Sequence, residues 1–347
     1  MKILKKGAFF TDIHWGRKQG SEEHNLDCMN FIDWFCDNVK KDKTIDHIQF
    51  LGDWHEHRAS ININTLKNSY DAASKLNDLG LPIYFLSGNH DHFLKNSSDI
   101  FSTYHFNSLS NFVVMNKITY VDYIHGGVLF VPYILPEDYN ILLQYKDVPV
   151  VSGHLELKGF KLSGTSMILE DGPDPTHFFK NQKKVFSGHF HSRDSKGNVH
   201  YIGNTFPMDF SDANDNERGM CTYDFEQDKL TYIDWPDCPK YIKVNLSELL
   251  KKSKKILTEG ARVRVDVDTD VTLTESTELR KLFMSQFNLR EIVLEEQSSA
   301  IPELTEIEKE VNDLKLDSID EIIPELLKRI KSDKINADTL VKIYRSL

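Results

Sequence analysis

The sequence predicts an α/β protein in which helices pack on a largely parallel sheet. Short apolar or β-branched runs alternate with helical patterns over the first two thirds of the chain. A second, shorter alternation begins near Tyr241, and the final segment shows helical spacing alone. Alternation of strands and helices along a chain is typical of parallel sheets that carry helices on their faces.

Seven runs predict strands, because each is rich in apolar or β-branched residues and ends at a Gly, Pro, Asp or Ser. In chain order they are GAFFTDI, IDHIQFL, LPIYFLS, VLFVPY, VPVVSG, KKVFSG and VHYIG. Two helical patterns lie between the first three runs. The first comprises Cys28, Phe31, Ile32, Phe35, Cys36 and Val39, and the second Ile63, Leu66, Tyr70, Ala73 and Leu76. Spacing of three and four residues predicts one apolar face for each helix.

A small second domain is predicted after the first alternation. Its order is βαβαβ, in the segments YIKVNL, SELLKKSKKIL, ARVRVDVDT, STELRKLFMSQF and REIVLEE. We therefore expect a main domain over residues 1–238, a small domain over 239–297 and a helical tail over 298–347. The tail has helically spaced apolar residues, too few to build a core: Leu304, Ile307, Val311, Leu314, Ile322, Ile323, Leu326, Leu327 and Ile330.

Composition narrows the class of protein. The chain has 347 residues and a formal net charge of −11, so it should repel nucleic acid at long range unless a local site attracts it. Cys28, Cys36, Cys221 and Cys238 show no spacing typical of a disulfide framework or a thiolate metal site. We find neither an apolar stretch long enough to cross a membrane nor a signal-like N-terminus, and expect a cytoplasmic protein.

Polar motifs follow the predicted strands, where this fold class places its chemistry. In chain order they are TDIHWG, LGDWHEH, SGNHDH, SGHLEL and SGHFHS. One such motif alone more often indicates a helix cap or a hydrogen-bonded surface group. Five in one order predict a shared site, whose oxygen and nitrogen donors without thiolate suit two divalent ions such as manganese, iron or zinc.

The order DxH, GD, GNHD, GH and GHxH resembles that of the calcineurin-like metallophosphoesterase superfamily. Phrases such as SGHLELKGF, FSGHFHS, YIGNTF and ERGM are similar, more narrowly, to nuclease subunits of the SbcCD type, especially those of T-even-like phages. The resemblance implies a four-layer metallophosphoesterase sandwich with a small βαβαβ cap domain and a C-terminal helical tail.

The resemblance also implies a set of site residues. One metal ion would be bound by Asp12, His14 and His191, the other by Asn89, His154 and His189, with Asp53 bridging them. Two divalent ions are implied, with Mn²⁺ expected and Mg²⁺ as the alternative. His90 would assist the leaving oxygen and Asp91 would orient its ring, although Asp91 as the N-cap of a following helix is a competing interpretation.

The implied activity is hydrolysis of DNA phosphodiesters, as exonuclease and endonuclease, in repair, recombination or replication. The implied partners are DNA and an ABC-type ATPase that binds the tail, with a homodimer inside a heterotetramer and no membrane; a phage-encoded protein would act in the host cytoplasm.

A nucleotide phosphodiesterase and a non-catalytic scaffold subunit remain alternatives, and the tail could instead fold back on the cap. Protein phosphatases carry GDxVDRG and GNHE, which this sequence lacks.

Two features of the sequence are not accounted for by the resemblance. Some relatives have a histidine three residues after the bridging aspartate, but this chain has Glu56 there, between His55 and His57, and no role is assigned to these three. Residues 251–264 hold six basic residues and one acid, a local charge of +5 that suits DNA guidance or a solvated helix face. Arg17 and Lys18 are weaker candidates for phosphate contact.

Overall fold

A computed structural model describes residues 4–94, 97–122, 126–162, 165 and 167–296. The chain up to Leu294 forms one compact unit. The predicted tail helices over 298–347 lie outside the described residues, so their prediction stays open. No helix in the described part of the chain is long and apolar enough to cross a membrane.

The strands include all seven runs that were predicted. In chain order the strands are β1 (Lys6–Phe10), β2 (His47–Leu51), β3 (Ile83–Leu86), β4 (His92–Leu94), β5 (Ser97–Phe101), β6 (Phe112–Met115), β7 (Thr119–Val121), β8 (Val128–Val131), β9 (Val150–His154), β10 (Lys184–Gly188), β11 (Asp194–Lys196), β12 (Val199–Tyr201), β13 (Gly219–Asp224), β14 (Lys229–Asp234), β15 (Tyr241–Asn245), β16 (Arg262–Val267) and β17 (Glu291–Glu296).

Helices occupy the connections between strands. They are α1 (Arg17–Gly20), α2 (Glu22–Lys41), α3 (Ile63–Asn77), α4 (Pro175–Phe178), α5 (Leu246–Ile256) and α6 (Leu273–Phe287), with 3₁₀ turns at Tyr104–Ser108, Pro136–Tyr145 and Phe210–Asp212. Ser21 caps α2 by accepting a hydrogen bond from the His24 amide. Glu22 and Glu23 in the first turn of α2 and two lysines in its last turn complement the helix dipole.

Two six-stranded sheets make up the main part of the molecule. The first has the order β14-β13-β1-β2-β3-β6 and the second β11-β12-β10-β9-β8-β7. The four strands β1, β2, β3 and β6 run parallel, as do β12, β10, β9 and β8. Antiparallel strands lie at the edges of both sheets. Each sheet therefore presents the carboxyl ends of its central strands along one edge.

The layers follow from which side chains are buried. Phe9 packs against Phe186 with ring centroids 5.2 Å apart, and Tyr84 stacks on Phe130 at 4.9 Å, so aromatic contacts join the two sheets face to face. The apolar face of α2 and part of α3 cover the outer side of the first sheet. The 3₁₀ turn at Pro136–Tyr145, together with the segment after α4, covers the second sheet. The order is helix, sheet, sheet and short helical segments, which confirms the predicted α/β sandwich.

The helix face predicted for α3 is wrong in its first half. Ile63, Leu66 and Tyr70 are exposed, at 85%, 41% and 39%, whereas Thr65 and Ser69 face the interior. Thr65 accepts a hydrogen bond from Asn25, and Ser69 lies 3.0 Å from His55 Nε2. Buried polar partners on neighbouring elements thus set the helix rotation here.

The segment from β15 to β17, predicted as a small domain, has the predicted βαβαβ order. Its sheet, β15-β16-β17, has β15 and β16 parallel and an apolar core of its own. Ion pairs attach it to α2: Arg290 contacts the Asp27 carboxylate at 2.7 and 2.9 Å and Glu23 at 3.1 Å, and Arg262 pairs with Glu23. The expected boundary near residue 239 falls in the loop between β14 and β15.

Candidate metal centre

Five strand ends bring the polar motifs together at one edge of the two sheets. Asp12 and His14 follow β1, Asp53 follows β2 and Asn89 follows β3 in the first sheet. In the second sheet His154 ends β9, and His189 and His191 follow β10. Because parallel strands end at the same edge, motifs far apart in the chain meet in space.

The first cluster consists of Asp12, His14 and His191. One ligand atom from each lies within 4.8 Å of the others, and Asp12 and His14 are almost completely buried. The His14 Nε2 atom is 3.9 Å from Asp12 Oδ1. These side chains therefore surround a space that a single cation could occupy.

The second cluster centres on the amide oxygen of Asn89. This oxygen lies 2.9 Å from His154 Nε2 and 3.1 Å from His189 Nδ1. On the far side of the His154 ring, Nδ1 lies 2.7 Å from the Leu51 carbonyl oxygen, which orients Nε2 towards Asn89. Two imidazole nitrogens and a neutral amide oxygen thus converge on one point.

Asp53 lies between the two clusters. Its Oδ2 atom is 3.7 Å from His14 Nε2 in the first cluster and 3.4 Å from His154 Nε2 in the second. The other oxygen, Oδ1, accepts a hydrogen bond from the His90 amide at 2.8 Å. A carboxylate in this position can supply an oxygen to both sides.

The backbone adopts unusual conformations at the site. Asp12, His14, Asp53 and His189 have φ values of 51°, 51°, 60° and 90°, in the left-handed region that L residues seldom occupy. Each such residue costs roughly 1–2 kcal/mol, which the surrounding structure must offset. Left-handed residues at a strand end turn the chain sharply, and strained residues of this kind cluster at functional sites.

Two motif glycines are required by close packing. A Cβ atom on Gly88 would overlap Asp53 Oδ1, and one on Gly188 would overlap Thr11 Oγ1 and approach Asp12 Oδ2. The glycines in the SGNHDH and SGHFHS motifs therefore leave room for the two carboxylates. The need for this space explains why a glycine precedes Asn89 and His189.

Burial and mutual charge shift the pKa values of the cluster. Burial opposes ionisation of Asp53, but the His154 imidazolium holds the pKa of this carboxyl well below its usual range. Burial also opposes protonation of His154, yet the Asp53 carboxylate raises the pKa of this ring to about 9. For His189 burial lowers the pKa to about 3, and for His191 it lowers the pKa well below the usual value. Burial thus favours the neutral form of His189 and His191, which carries a lone pair for a cation, whereas the Asp53 carboxylate favours the protonated form of His154 in the metal-free protein.

His90 lies at the more open side of the site. Its side chain is 33% exposed, and Nδ1 is 2.9 Å from the Glu56 carbonyl oxygen, so Nε2 is the ring nitrogen left to face the site. One of its ring nitrogens also lies within 4.8 Å of ligand atoms on His14 and Asp53. The geometry thus permits His90 to act either as a metal ligand or as a proton donor.

The predicted orienting role of Asp91 is not the arrangement observed. The Asp91 carboxylate accepts hydrogen bonds from the amides of Gly88, Trp54 and His55, at 2.9–3.2 Å. Burial raises its pKa to about 6. Asp91 also does not cap a helix, because β4 follows it. The carboxylate instead ties the loop after β2 to the loop after β3, and the carbonyl of Glu56 is the partner of the His90 ring.

Glu56 is a site residue to which the sequence interpretation assigned no role. Its Oε2 atom lies 2.7 Å from His14 Nδ1, and Arg17 Nη1 contacts the same carboxylate at 3.2 and 3.3 Å. His55 is buried, with its ring nitrogens 2.8 Å from Ser102 Oγ and 3.0 Å from Ser69 Oγ. His57 is exposed. The position of Glu56 three residues after Asp53 was the signal available in the sequence.

The basic residues considered for DNA contact have separate environments. Arg17 pairs with Glu56 and, at 2.6 Å, with Asp209, while Lys18 bonds to the Tyr241 hydroxyl. In the segment 251–264, Arg262 is buried against α2 and Arg264 lies over the Phe210 ring at 4.5 Å. The four lysines of α5 are exposed: Lys251, Lys252, Lys254 and Lys255. The +5 segment therefore divides into an interdomain part and a solvent-facing part.

The donor set fits divalent cations. His14 Nε2 is buried and has no hydrogen-bond partner among the described residues, which is costly for a polar atom unless another group binds it. Carboxylate, amide and imidazole donors in two adjoining clusters suit manganese, iron or zinc. Thiolates do not contribute, because the four cysteines are buried elsewhere in the core.

The chain is similar to a known protein family and to several known proteins. A sequence model of the calcineurin-like phosphoesterase family matches residues 6–193. The chain is 26% identical over 344 residues to exonuclease subunit 1 of Enterobacteria phage T4, covering 89% of this chain and 96% of that protein. Among solved structures, an archaeal phosphodiesterase matches with a TM-score of 0.38 and 10% identity, over 66% of this chain and 99% of that one. A purple acid phosphatase from seeds of yellow lupin (Lupinus luteus) matches with a TM-score of 0.37 and 13% identity, over 60% and 41%.

Proposed function

The chain belongs to the calcineurin-like phosphoesterase family, and from this premise we propose that it is a two-metal-dependent DNA nuclease with exonuclease and endonuclease activity. The observation that carries the proposal is the position of Asp53. Its Oδ2 atom lies 3.7 Å from a nitrogen of the first cluster and 3.4 Å from one of the second. A carboxylate shared in this way supports two adjoining metal sites rather than one.

The residues divide into two ligand sets in this proposal. Asp12, His14 and His191 hold one divalent ion, and Asn89, His154 and His189 hold the other. Asp53 contributes to both. When bound, two such ions polarise a phosphate, lower the pKa of a water molecule and stabilise charge on the leaving oxygen. Mn²⁺ is the proposed physiological ion, with Mg²⁺ as the alternative.

His90 is the proposed acid. Its Nδ1 atom is 2.9 Å from the Glu56 carbonyl oxygen, which supports a fixed ring with Nε2 towards the phosphate. A protonated ring can then donate its Nε2 proton to the leaving oxygen. Asp91 acts as a positioning residue: it accepts hydrogen bonds from three backbone amides and so holds the loops that carry Asp53 and His90.

DNA is the proposed substrate. The phage T4 relative is described as an exonuclease subunit and matches along most of both chains. The exposed lysines of α5 give a domain outside the metallophosphoesterase fold a basic surface, which suits guidance of a phosphate backbone. A nucleotide phosphodiesterase of the same superfamily would need neither this domain nor a tail.

Assembly is part of the proposal. The tail from residue 298 would bind an ABC-type ATPase of the SbcC kind, because its apolar helical strips need a covering surface. The exposed Ile63, Leu66 and Tyr70 on α3 form an apolar strip that supports a contact with a second copy, giving a homodimer inside a heterotetramer. The complex would act on DNA in the cytoplasm, or in the host cytoplasm if a phage encodes it.

Digestion of linear duplex and single-stranded DNA tests the activity. The purified protein is incubated with Mn²⁺ or Mg²⁺, beside the His90→Ala variant. We expect metal-dependent cleavage by the wild type and little by the variant. Hydrolysis of bis(p-nitrophenyl) phosphate without DNA cleavage under either metal would favour a small-molecule phosphodiesterase. Inactivity on both substrates, with metals bound, would favour a non-catalytic scaffold.

A further inference from the structure

Tyr133 lies beside the Asn89 cluster and has no part in the metal chemistry described above. It follows β8, and its amide donates to the Ser87 carbonyl oxygen at 3.0 Å, so its backbone is joined to the strand end that carries Asn89. The ring centroid lies 6.1 Å from that of His189, 6.3 Å from that of His154 and 6.2 Å from that of His92. Tyr133 is thus the aromatic neighbour of three imidazoles at this side of the centre.

The Tyr133 side chain is partly open. It is half-buried, and its hydroxyl forms no hydrogen bond with any residue that the structure describes. Burial, and then the Glu156 carboxylate, raise the pKa of the phenol, so the hydroxyl stays neutral. A half-buried, neutral aromatic ring beside a metal site is suited to contact a substrate.

A cavity of about 200 Å³ adjoins the ring. Its lining combines the ring of Tyr133 and the aliphatic Ile134 and Leu135 with polar side chains that include Ser97, Asp99 and Asp138. Two carboxylates make the cavity unsuitable for a phosphate group. A flat, uncharged ring with exocyclic amino groups fits this mixed lining, because it can stack on an aromatic ring and donate to the acids.

We propose that Tyr133 and this cavity form a nucleobase subsite, in which the base next to the phosphate under attack stacks on the Tyr133 ring. The inference rests on the proposed nuclease function and adds a feature to it. A stacked base must first leave its neighbours, so the subsite favours an unpaired strand end or a single-stranded segment. Base–aromatic stacking of this kind contributes about 1–3 kcal/mol per base, which corresponds to roughly 5- to 150-fold in affinity.

Calorimetric binding of two ligands to the Mn²⁺-loaded protein tests the subsite without DNA cleavage. Deoxyadenosine 5′-monophosphate carries the base, and deoxyribose 5-phosphate lacks it. In the wild type we expect the nucleotide to bind about tenfold more tightly. Tyr133→Leu should abolish that advantage and leave the affinity for deoxyribose 5-phosphate unchanged, while Tyr133→Phe should keep the advantage. Tyr104→Leu, which removes a tyrosine that is 68% exposed in a 3₁₀ turn, is the matched control.

Two results would overturn the subsite. One is equal affinity of the wild type for both ligands, and the other is an advantage for the nucleotide that survives in Tyr133→Leu. If Tyr133→Leu weakens both ligands to the same degree, the ring supports the metal centre and does not bind a base. Failure of DNA digestion with a retained base advantage would instead reject the nuclease function and keep the subsite.

Discussion

The Glu56 carboxylate lies 2.7 Å from His14 Nδ1, on the side of the ring opposite the metal centre. Burial would lower the pKa of His14, but Glu56 and the carboxylates of the site raise it. With the Glu56 carboxylate beside Nδ1, the other ring nitrogen, Nε2, is left to face a cation. Pairs of this kind orient metal-binding histidines and raise their basicity.

We expect Glu56→Gln to lower the affinity for one of the two metal ions by about 10- to 100-fold, because the amide cannot stabilise a proton on His14 Nδ1 as a carboxylate does. Binding of Mn²⁺ measured by titration calorimetry would show one high-affinity and one weakened site. His57→Gln is the control, since His57 is exposed one residue further along the chain. Two unchanged sites in Glu56→Gln would show that the contact with His14 has no influence on the metal.

Replacing Asp53 by Asn should lower the occupancy of both metal sites, whereas His191→Ala should mainly lower the occupancy of one. The reason is that Asp53 Oδ2 lies within 3.4–3.7 Å of nitrogens in both clusters, while His191 belongs to the first cluster alone. Anomalous scattering from crystals grown with Mn²⁺ measures the two occupancies. Two fully occupied sites in Asp53→Asn would contradict the bridging role.

His90→Ala should keep both metals and lose most of the cleavage activity. A positioned proton donor typically contributes about 10²–10⁴-fold to the rate. The measurement pairs single-turnover cleavage with metal content by mass spectrometry. Loss of a metal in this variant would place His90 among the ligands, an arrangement that its distance to His14 and Asp53 also permits.

Removal of residues 300–347 should leave a folded, metal-dependent nuclease that no longer co-purifies with the ATPase. This expectation follows from the apolar strips of the tail and from the apolar core that the described residues of the small domain form among themselves. The melting temperature of the isolated truncated protein is the second readout. A fall of many degrees would assign the tail to the protein's own core.

Acid should destabilise the metal-free protein partly through His55. Burial, and then the nearby His105, lower the pKa of His55 to about 3 from an ordinary value of 6.5. The unfolded chain therefore binds the extra proton first, and stability that is complete above pH 6.5 is lost as the pH falls towards 3. In His55→Gln the free energy of unfolding should fall less steeply with decreasing pH, by on the order of 1 kcal/mol per pH unit. Urea unfolding in the presence of EDTA at several pH values measures this slope. An equal slope in His55→Gln and in the exposed control His57→Gln would count against it.

Short-range patterns in the sequence predict much of this molecule. Apolar runs bounded by turn residues predicted β1, β2, β3, β8, β9, β10 and β12, and the βαβαβ order predicted after Tyr241 is confirmed. The polar motifs after five of those strands indicated the residues that now lie within a few ångströms of each other. These predictions succeed because hydrophobic period and turn chemistry act over a few neighbouring residues. A strand such as β14, whose exposed positions Lys229, Thr231 and Asp234 are polar, carries a weaker pattern.

The roles of side chains that act across the chain were decided by tertiary structure. Asp91 looked like a partner for the His90 ring or a helix cap, but its carboxylate accepts hydrogen bonds from the amides of Trp54 and His55, 37 and 36 positions away. Glu56 meets His14 and Arg17, and Arg17 meets Asp209, 192 positions away. Buried polar groups take whichever partners the folded chain brings within hydrogen-bonding distance, and no local pattern records that choice. The rotation of α3 followed from the same cause, since Asn25 and His55 required partners on its inner face.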